Sequence, residues 1–243
     1  MDNKEYVQRH ELLAEKSDRD GNKIVDSLKP YLLLILNKAK DIDNKNIIEI
    51  IEKIESTIVN MYISKLDNEL KTYLNKLVKD VHEFESRDFE YKLDSGELSK
   101  AKEEILNNSL VIKTSLVSWL LMMAYKDTFK VSRIIRSNIN KPESISKQIV
   151  NYNKRPINNI RRIVDAMIYG ATFKIRDLLF TKNEIELIRW VSILDGRTSP
   201  MCAMRAGKIY YMNSKLPYNH SIGWEEPGVY HWGCRSFVVP YYE

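Results

Sequence analysis

Residues that bend, cross-link or span are scarce over most of this chain. Of eight glycines, only Gly21, Gly96 and Gly170 fall in the first 180 positions, and of seven prolines only Pro30, Pro142 and Pro156. A stretch so poor in residues that admit unusual backbone angles or break helices disfavours a turn-rich β architecture there. With two cysteines in 243 residues there is no disulfide framework, and a chain of this length needs none to bury a core. No uninterrupted apolar run approaches the ~20 residues required to cross a bilayer, so no membrane partner is expected. The first residues, Met1-Asp-Asn-Lys-Glu-Tyr-Val-Gln-Arg9, lack the apolar centre of a signal peptide, and synthesis and assembly are expected in a cytoplasm. That compartment favours thiols or a metal site over a disulfide.

What is present is ordinary for a folded protein: 44% hydrophobic and 29% charged residues, with a formal net charge of +5. The charge is uneven. Between residues 126 and 162 stand ten basic side chains, Lys126, Lys130, Arg133, Arg136, Lys141, Lys147, Lys154, Arg155, Arg161 and Arg162, against Asp127 and Glu143, a local excess of 10 − 2 = 8. Such a segment suits phosphates or an acidic protein surface, and equally a solvated helical face.

Residues 1–22 read as a polar arm, with Ser17-Asp-Arg-Asp-Gly21 as a turn or frayed segment. Ile24, Val25, Leu28, Leu32, Ile35 and Leu36 then recur at helical spacing, with Pro30 as a kink or restart. From Ile47 to Val81 apolar residues three or four apart predict a helix of some nine turns whose buried stripe is core. His10 and His82 have no Cys or carboxylate at ligand spacing and receive no chemical role. After a turn at Asp94-Ser-Gly96 the helical period resumes through Ile105, Leu110, Ile112 and Trp119. The run Leu116–Tyr125 is apolar nearly all round, which predicts a centrally buried helix with Met122 and Met123 filling core. The pattern breaks at Asn140-Lys-Pro142. Ser144 can cap a short helix to Val150, residues 151–156 read as a linker, and Pro156 opens another helix reaching Leu179.

The last quarter differs in composition. It holds both cysteines, five glycines, four prolines and three of the four tryptophans. Leu187–Leu194 is strand-like and ends at Asp195-Gly196. Ser199 as cap, Pro200 in the first turn and Gly207 just past the end define a short helix, placing Cys202 where free backbone N–H groups favour a thiolate. Lys208–Met212 and Arg235–Val239 read as two more strands, separated by a polar loop. The fold class is α+β: a long, mostly helical body (residues 23–180) and a small C-terminal β-rich module with one short helix (residues 181–243).

The order Trp190…Asp195-Gly-Arg197-Thr198-Ser-Pro-Met-Cys202…Gly207…His231-Trp-Gly-Cys234-Arg235-Ser236…Pro240 resembles the C-terminal module of the phage head-morphogenesis family, the Mu F-like minor head proteins. In that family a Trp-x-x-x-x-Asp-x-Arg-Thr-[Ser/Cys]-x-x-Cys element precedes a glycine turn, a loop and a His-x-x-Cys-Arg-[Ser/Cys] element closed by a proline. The likeness covers roughly residues 133–240, including Ala166, Gly170 and Ala171 on the inner face of a helix, and departs from the family at Ile163-Val164-Asp165. It implies a minor structural protein inside a tailed-phage head, near the portal vertex, assembled in the host cytoplasm. The expected partners are the portal protein or major capsid protein and packaged double-stranded DNA, and the role is head assembly or genome delivery by binding, not catalysis.

Three readings of the motif residues compete. Cys202, His231 and Cys234 can bind one structural Zn²⁺, with Asp195 or His220 as fourth ligand, although Ser199 stands where some relatives carry a further cysteine. Alternatively they pack without metal, with Asp195 accepting turn N–H groups and Arg197 and Arg235 pairing with carboxylates. In the third, Cys202 is a nucleophile served by His231 and Asp195. These leave two alternatives to the structural role: an effector enzyme delivered by the phage, and a zinc-stabilised nucleic-acid-binding module.

Overall fold

A computed structural model describes residues 3–40, 46–108, 115–138, 140–152, 154–196, 198–231 and 233–242. The class is α+β, as expected. The helices are α1 (Asn3–Lys40), α2 (Ile47–Asn60), a π-helical turn (Met61–Leu66), α3 (Asp67–Glu85), α4 (Ser95–Asn108), α5 (Leu116–Ser137), α6 (Pro142–Tyr152), α7 (Lys154–Lys182) and the short α8 (Pro200–Arg205). Strands β1 (Leu187–Val191), β2 (Ile209–Tyr211) and β3 (Phe237–Tyr241) form one antiparallel sheet in the order β2-β1-β3. Among the described residues, no helix is long and apolar enough to cross a membrane.

The chain divides into two compact units that interleave in sequence: Met1–Asp18, Tyr73–Ser115 and Val164–Glu243 in one, Arg19–Thr72 and Leu116–Ile163 in the other. This grouping follows contacts and cuts across the linear segments 1–22, 23–180 and 181–243.

In the second unit, α2 and the π turn pack on α5. Ile50, Ile51, Ile54, Ile58 and Met61 are buried, as are Trp119, Leu120, Met123, Val131 and Ile135. The buried Tyr62, on the π turn, donates its hydroxyl to Asp127 of α5. Burial first, and then the Asp127 charge, push that phenol well above its usual range. Ser132 donates to Glu55 at 2.6 Å across the same pair of elements.

In the first unit, Leu74, Leu77 and Val81 of α3, Ala101 and Ile105 of α4, and Ala171, Ile175 and Leu179 of α7 form the helical core. Within it Arg176 makes a two-pronged bond to Glu85, Nε–Oε2 at 2.8 Å and Nη2–Oε1 at 3.0 Å, with both side chains essentially inaccessible. The Arg176 guanidinium also lies 5.3 Å from the ring centre of Phe237, so this buried cation joins the helices to β3. In the sheet, central β1 alternates Ile188 and Trp190 inward, both fully buried. Its partners run from Leu187 opposite Tyr241 to Val191 opposite Phe237. Pro240 faces Ile188 on the edge strand β3, where a residue without an N–H is tolerated.

Several sequence expectations are corrected. The polar arm is not frayed: α1 runs through Ser17–Gly21 because that segment is packed. Ser17 is buried and donates to Asp165, Asp20 is buried, and Gly21 sits where a Cβ would meet the Arg161 side chain at 3.4 Å. Pro30 lies inside α1 without ending it. The nine-turn helix from Ile47 is present but carries the π turn at Met61–Leu66. Helix α5 is not buried all round, since Val117, Leu121, Met122 and Tyr125 are exposed, and Met122 therefore does not fill core. Helix α6 starts at Pro142 and reaches Tyr152, so Ser144 is inside it and the expected linker at 151–156 is largely helical. Leu110 and Ile112 lie outside the described residues, as does the side chain of His10.

Candidate metal centre

The site forms where the motif segments return to the sheet. Beyond β1, Thr198 accepts the Asp195 N–H at 2.9 Å and donates to the Ile193 carbonyl, which folds the Asp-Gly-x-Thr stretch into a closed turn. Ser199, in extended backbone, accepts the Cys202 N–H at 3.2 Å and caps α8, with Pro200 at the first helical position. Gly207 ends the element in left-handed backbone, φ 77°. Its N–H donates to the Trp190 carbonyl at 2.8 Å, and the Trp190 N–H to the Lys208 carbonyl at 2.8 Å. Helix α8 is thus tied to β1, and Cys202 is held against the sheet.

The second segment arrives through the loop after β2. Gly228, at φ 82°, packs on α7 so closely that a Cβ would lie 3.0 Å from Tyr169. Its N–H points at the Cys234 sulfur, 3.3 Å away. Cys234 Sγ is 3.8 Å from Cys202 Sγ, and His231 Nε2 is 2.9 Å from both Cys202 Sγ and Ser199 Oγ. The three donor atoms of Cys202, His231 and Cys234 lie within 4.8 Å of one another, close enough to hold one metal ion. Both cysteines are buried and unpaired by disulfide.

The serines beneath them are interlocked. Trp190 Nε1 donates to Ser192 Oγ at 2.9 Å, and Ser192 donates to the Cys202 carbonyl at 2.8 Å and lies 3.0 Å from Ser236 Oγ. The hydrogen bond from the Cys234 thiol, followed by those of Ser199, Ser236 and His231, holds Cys202 down at about 4 against the opposing effect of burial. Cys234 shifts the other way, because its proton is the one donated and because it is buried. The two sulfurs are thus pushed in opposite directions, Cys202 toward the thiolate and Cys234 toward the thiol. Beside them is a space of only about 10 Å³, edged by Thr198, Ser199, Arg235 and Ser236, which admits a single ion or water.

The other expected site residues are placed elsewhere. Asp195 stands outside the cluster and is exposed, with Arg235 donating to its Oδ1 at 2.6 Å. His220 is also engaged: the Ile222 N–H donates to Nδ1 at 3.1 Å, so Nε2 carries the proton and donates to the Ile209 carbonyl at 2.8 Å. Its ring stacks edge-on to Tyr210, beside Trp224 and Trp190. Neither residue supplies a fourth ligand in this arrangement. Arg197 and Trp232 lie outside the described residues, as does the side chain of Arg155. Of the basic segment, Lys126, Arg133, Arg136, Lys141, Lys147, Lys154, Arg161 and Arg162 are exposed and Lys130 is half-buried. Arg161 is occupied by Asn22, which accepts from its Nε and Nη2 at 3.0 and 2.7 Å.

Sequence reasoning missed Ser192. Its hydroxyl links Trp190, Cys202 and Ser236, a role that a lone serine at a strand end does not announce. Arg176 was equally hidden, although an arginine on an otherwise apolar helical face was the available signal. Compared with family models, curated proteins and solved structures, the chain matches none of them.

Proposed function

We propose that this chain is a minor structural protein of a tailed-phage head that acts by binding at the portal vertex, with its C-terminal module as a compact docking body. One observation carries the reading. The two segments that resemble the Mu F-like motif, 29 to 32 residues apart, close on each other through Cys202, His231 and Cys234, and the space beside them is only about 10 Å³. That geometry favours a structural knot over a catalytic cleft. Co-expressed with the portal protein of its own genome, the chain should co-elute with the portal ring on gel filtration and be found in purified heads by mass spectrometry. A chain that elutes alone and is missing from heads refutes the assignment. The major capsid protein and packaged DNA are the other partners this reading admits, and the same experiment scores the capsid protein.

Zinc is the metal this donor set suits, two thiolates and an imidazole. Two sulfurs bound to tetrahedral Zn²⁺ at ~2.3 Å lie about 3.8 Å apart, and Cys202 and Cys234 stand at 3.8 Å. The 2.9 Å from Cys202 to His231 is a hydrogen-bond distance and opens by roughly 0.6 Å when a metal replaces the proton. Elemental analysis should find about one zinc per chain, lost in Cys202→Ser and His231→Ala, and a chelator should lower the melting temperature. A metal-free chain with an unchanged melt leaves a packed Cys-His-Cys core as the function of these residues.

A further inference from the structure

Helix α5 buries one side in its unit and leaves another bare. Val117, Leu121, Tyr125 and Phe129 recur at every fourth position and are 49, 53, 73 and 61% exposed. That spacing lines them along one side of the helix as a ridge of about 18 Å. Isolated exposed apolar residues are ordinary, whereas a continuous ridge of this kind marks a surface that another body covers.

Two hollows, of about 530 and 700 Å³, flank the C-terminal half of the ridge and share Tyr125 and Phe129 as their common wall. Lys126, Lys130 and Arg162 edge the first, and Arg133 and Arg136 the second. Two carboxylates also line the hollows, Asp127 in the first, where it accepts the Tyr62 hydroxyl, and Glu55 in the second, where it accepts from Ser132, so the cations outnumber the acids five to two. The rim is cationic around an apolar centre.

We propose that this face of α5 receives an amphipathic helix from a partner protein, with apolar side chains on the ridge and carboxylates against the five flanking cations. Duplex DNA would satisfy the cations but has nothing apolar to lay along the ridge. A second copy of this face would set the same cations against each other. The surface lies wholly within the second unit and does not depend on the head-assembly reading.

The probe is an 18-residue fluorescent peptide helix with leucines on one face and glutamates on both flanks. It is titrated into the full chain beside a matched peptide carrying lysine for glutamate and a 20-base-pair DNA duplex. The acidic peptide should bind at least tenfold more tightly than the basic one. Leu121→Asp with Phe129→Asp, and separately Lys126→Glu with Lys130→Glu, should each weaken it tenfold or more without changing the circular dichroism, while Val59→Asp on α2 leaves it unchanged. The proposal is overturned by no binding of the acidic peptide, by equal binding of the two peptides, by binding that survives the ridge substitutions, by DNA binding indifferent to them, or by self-association that they abolish.

Discussion

His82 shows how one residue without chemistry of its own still has a pH signature. Its Nε2 accepts the Leu93 N–H at 3.1 Å, which only the neutral ring can do. Burial, and next the charge of Lys92, lower its value from the ordinary 6.5. The folded state therefore favours the neutral form, and the stabilisation is fully present above about pH 6.5 and lost as pH falls through the lower folded value. An NMR titration of the His82 ring should report a value below 6.5, and one at or above it refutes the account. Gly228 is the other residue with a single-site consequence. Its positive φ and its approach to Tyr169 leave no room for a side chain. Gly228→Ala should cost about 1–3 kcal/mol in denaturant unfolding. It should also displace the N–H that faces Cys234, so thiol-reactive probes should label that cysteine faster.

Among elements, helices α3 and α7 and strand β3 meet at a single buried charge pair. Removing one member leaves the other charged in a dry site, so Glu85→Gln should destabilise by about 3–5 kcal/mol in denaturant titration. Replacing both, Glu85→Leu with Arg176→Met, should recover most of that loss. The sequence showed α7 as an apolar-striped helix with small residues inside, and Ala166 and Ala171 are indeed buried. It did not show the partner of Arg176, because Glu85 lies 91 positions away. The cap, proline and glycine of α8 were legible, since each acts on its own backbone within a few residues. Ser199→Ala should cost about 1 kcal/mol for the same local reason. The period along α5 was legible too, but not which apolar side faces out: a helix apolar on more than one side has no unique buried stripe until a neighbour chooses it.

At the scale of the molecule, the two units are assembled from segments far apart in the chain, and the candidate metal centre belongs entirely to one of them. If zinc holds it, chelation should raise amide exchange in the Leu187–Tyr241 region and leave α2 and α5 at their starting protection, read by hydrogen-exchange mass spectrometry. Equal loss of protection in both regions would mean that the centre supports more than its own unit. By itself, the sequence determined the helical spacing, the composition change near residue 180, the three short strands and the local form of the cysteine turn, all of which depend on neighbours a few residues away. Only the tertiary structure decided that Asp195 and His220 stand outside the cluster, that the N-terminal segment is a packed helix, and that α5 exposes a ridge among cations. Those outcomes depend on which distant groups compete for the same polar atom or the same apolar face, and that competition is resolved only when the chain has folded.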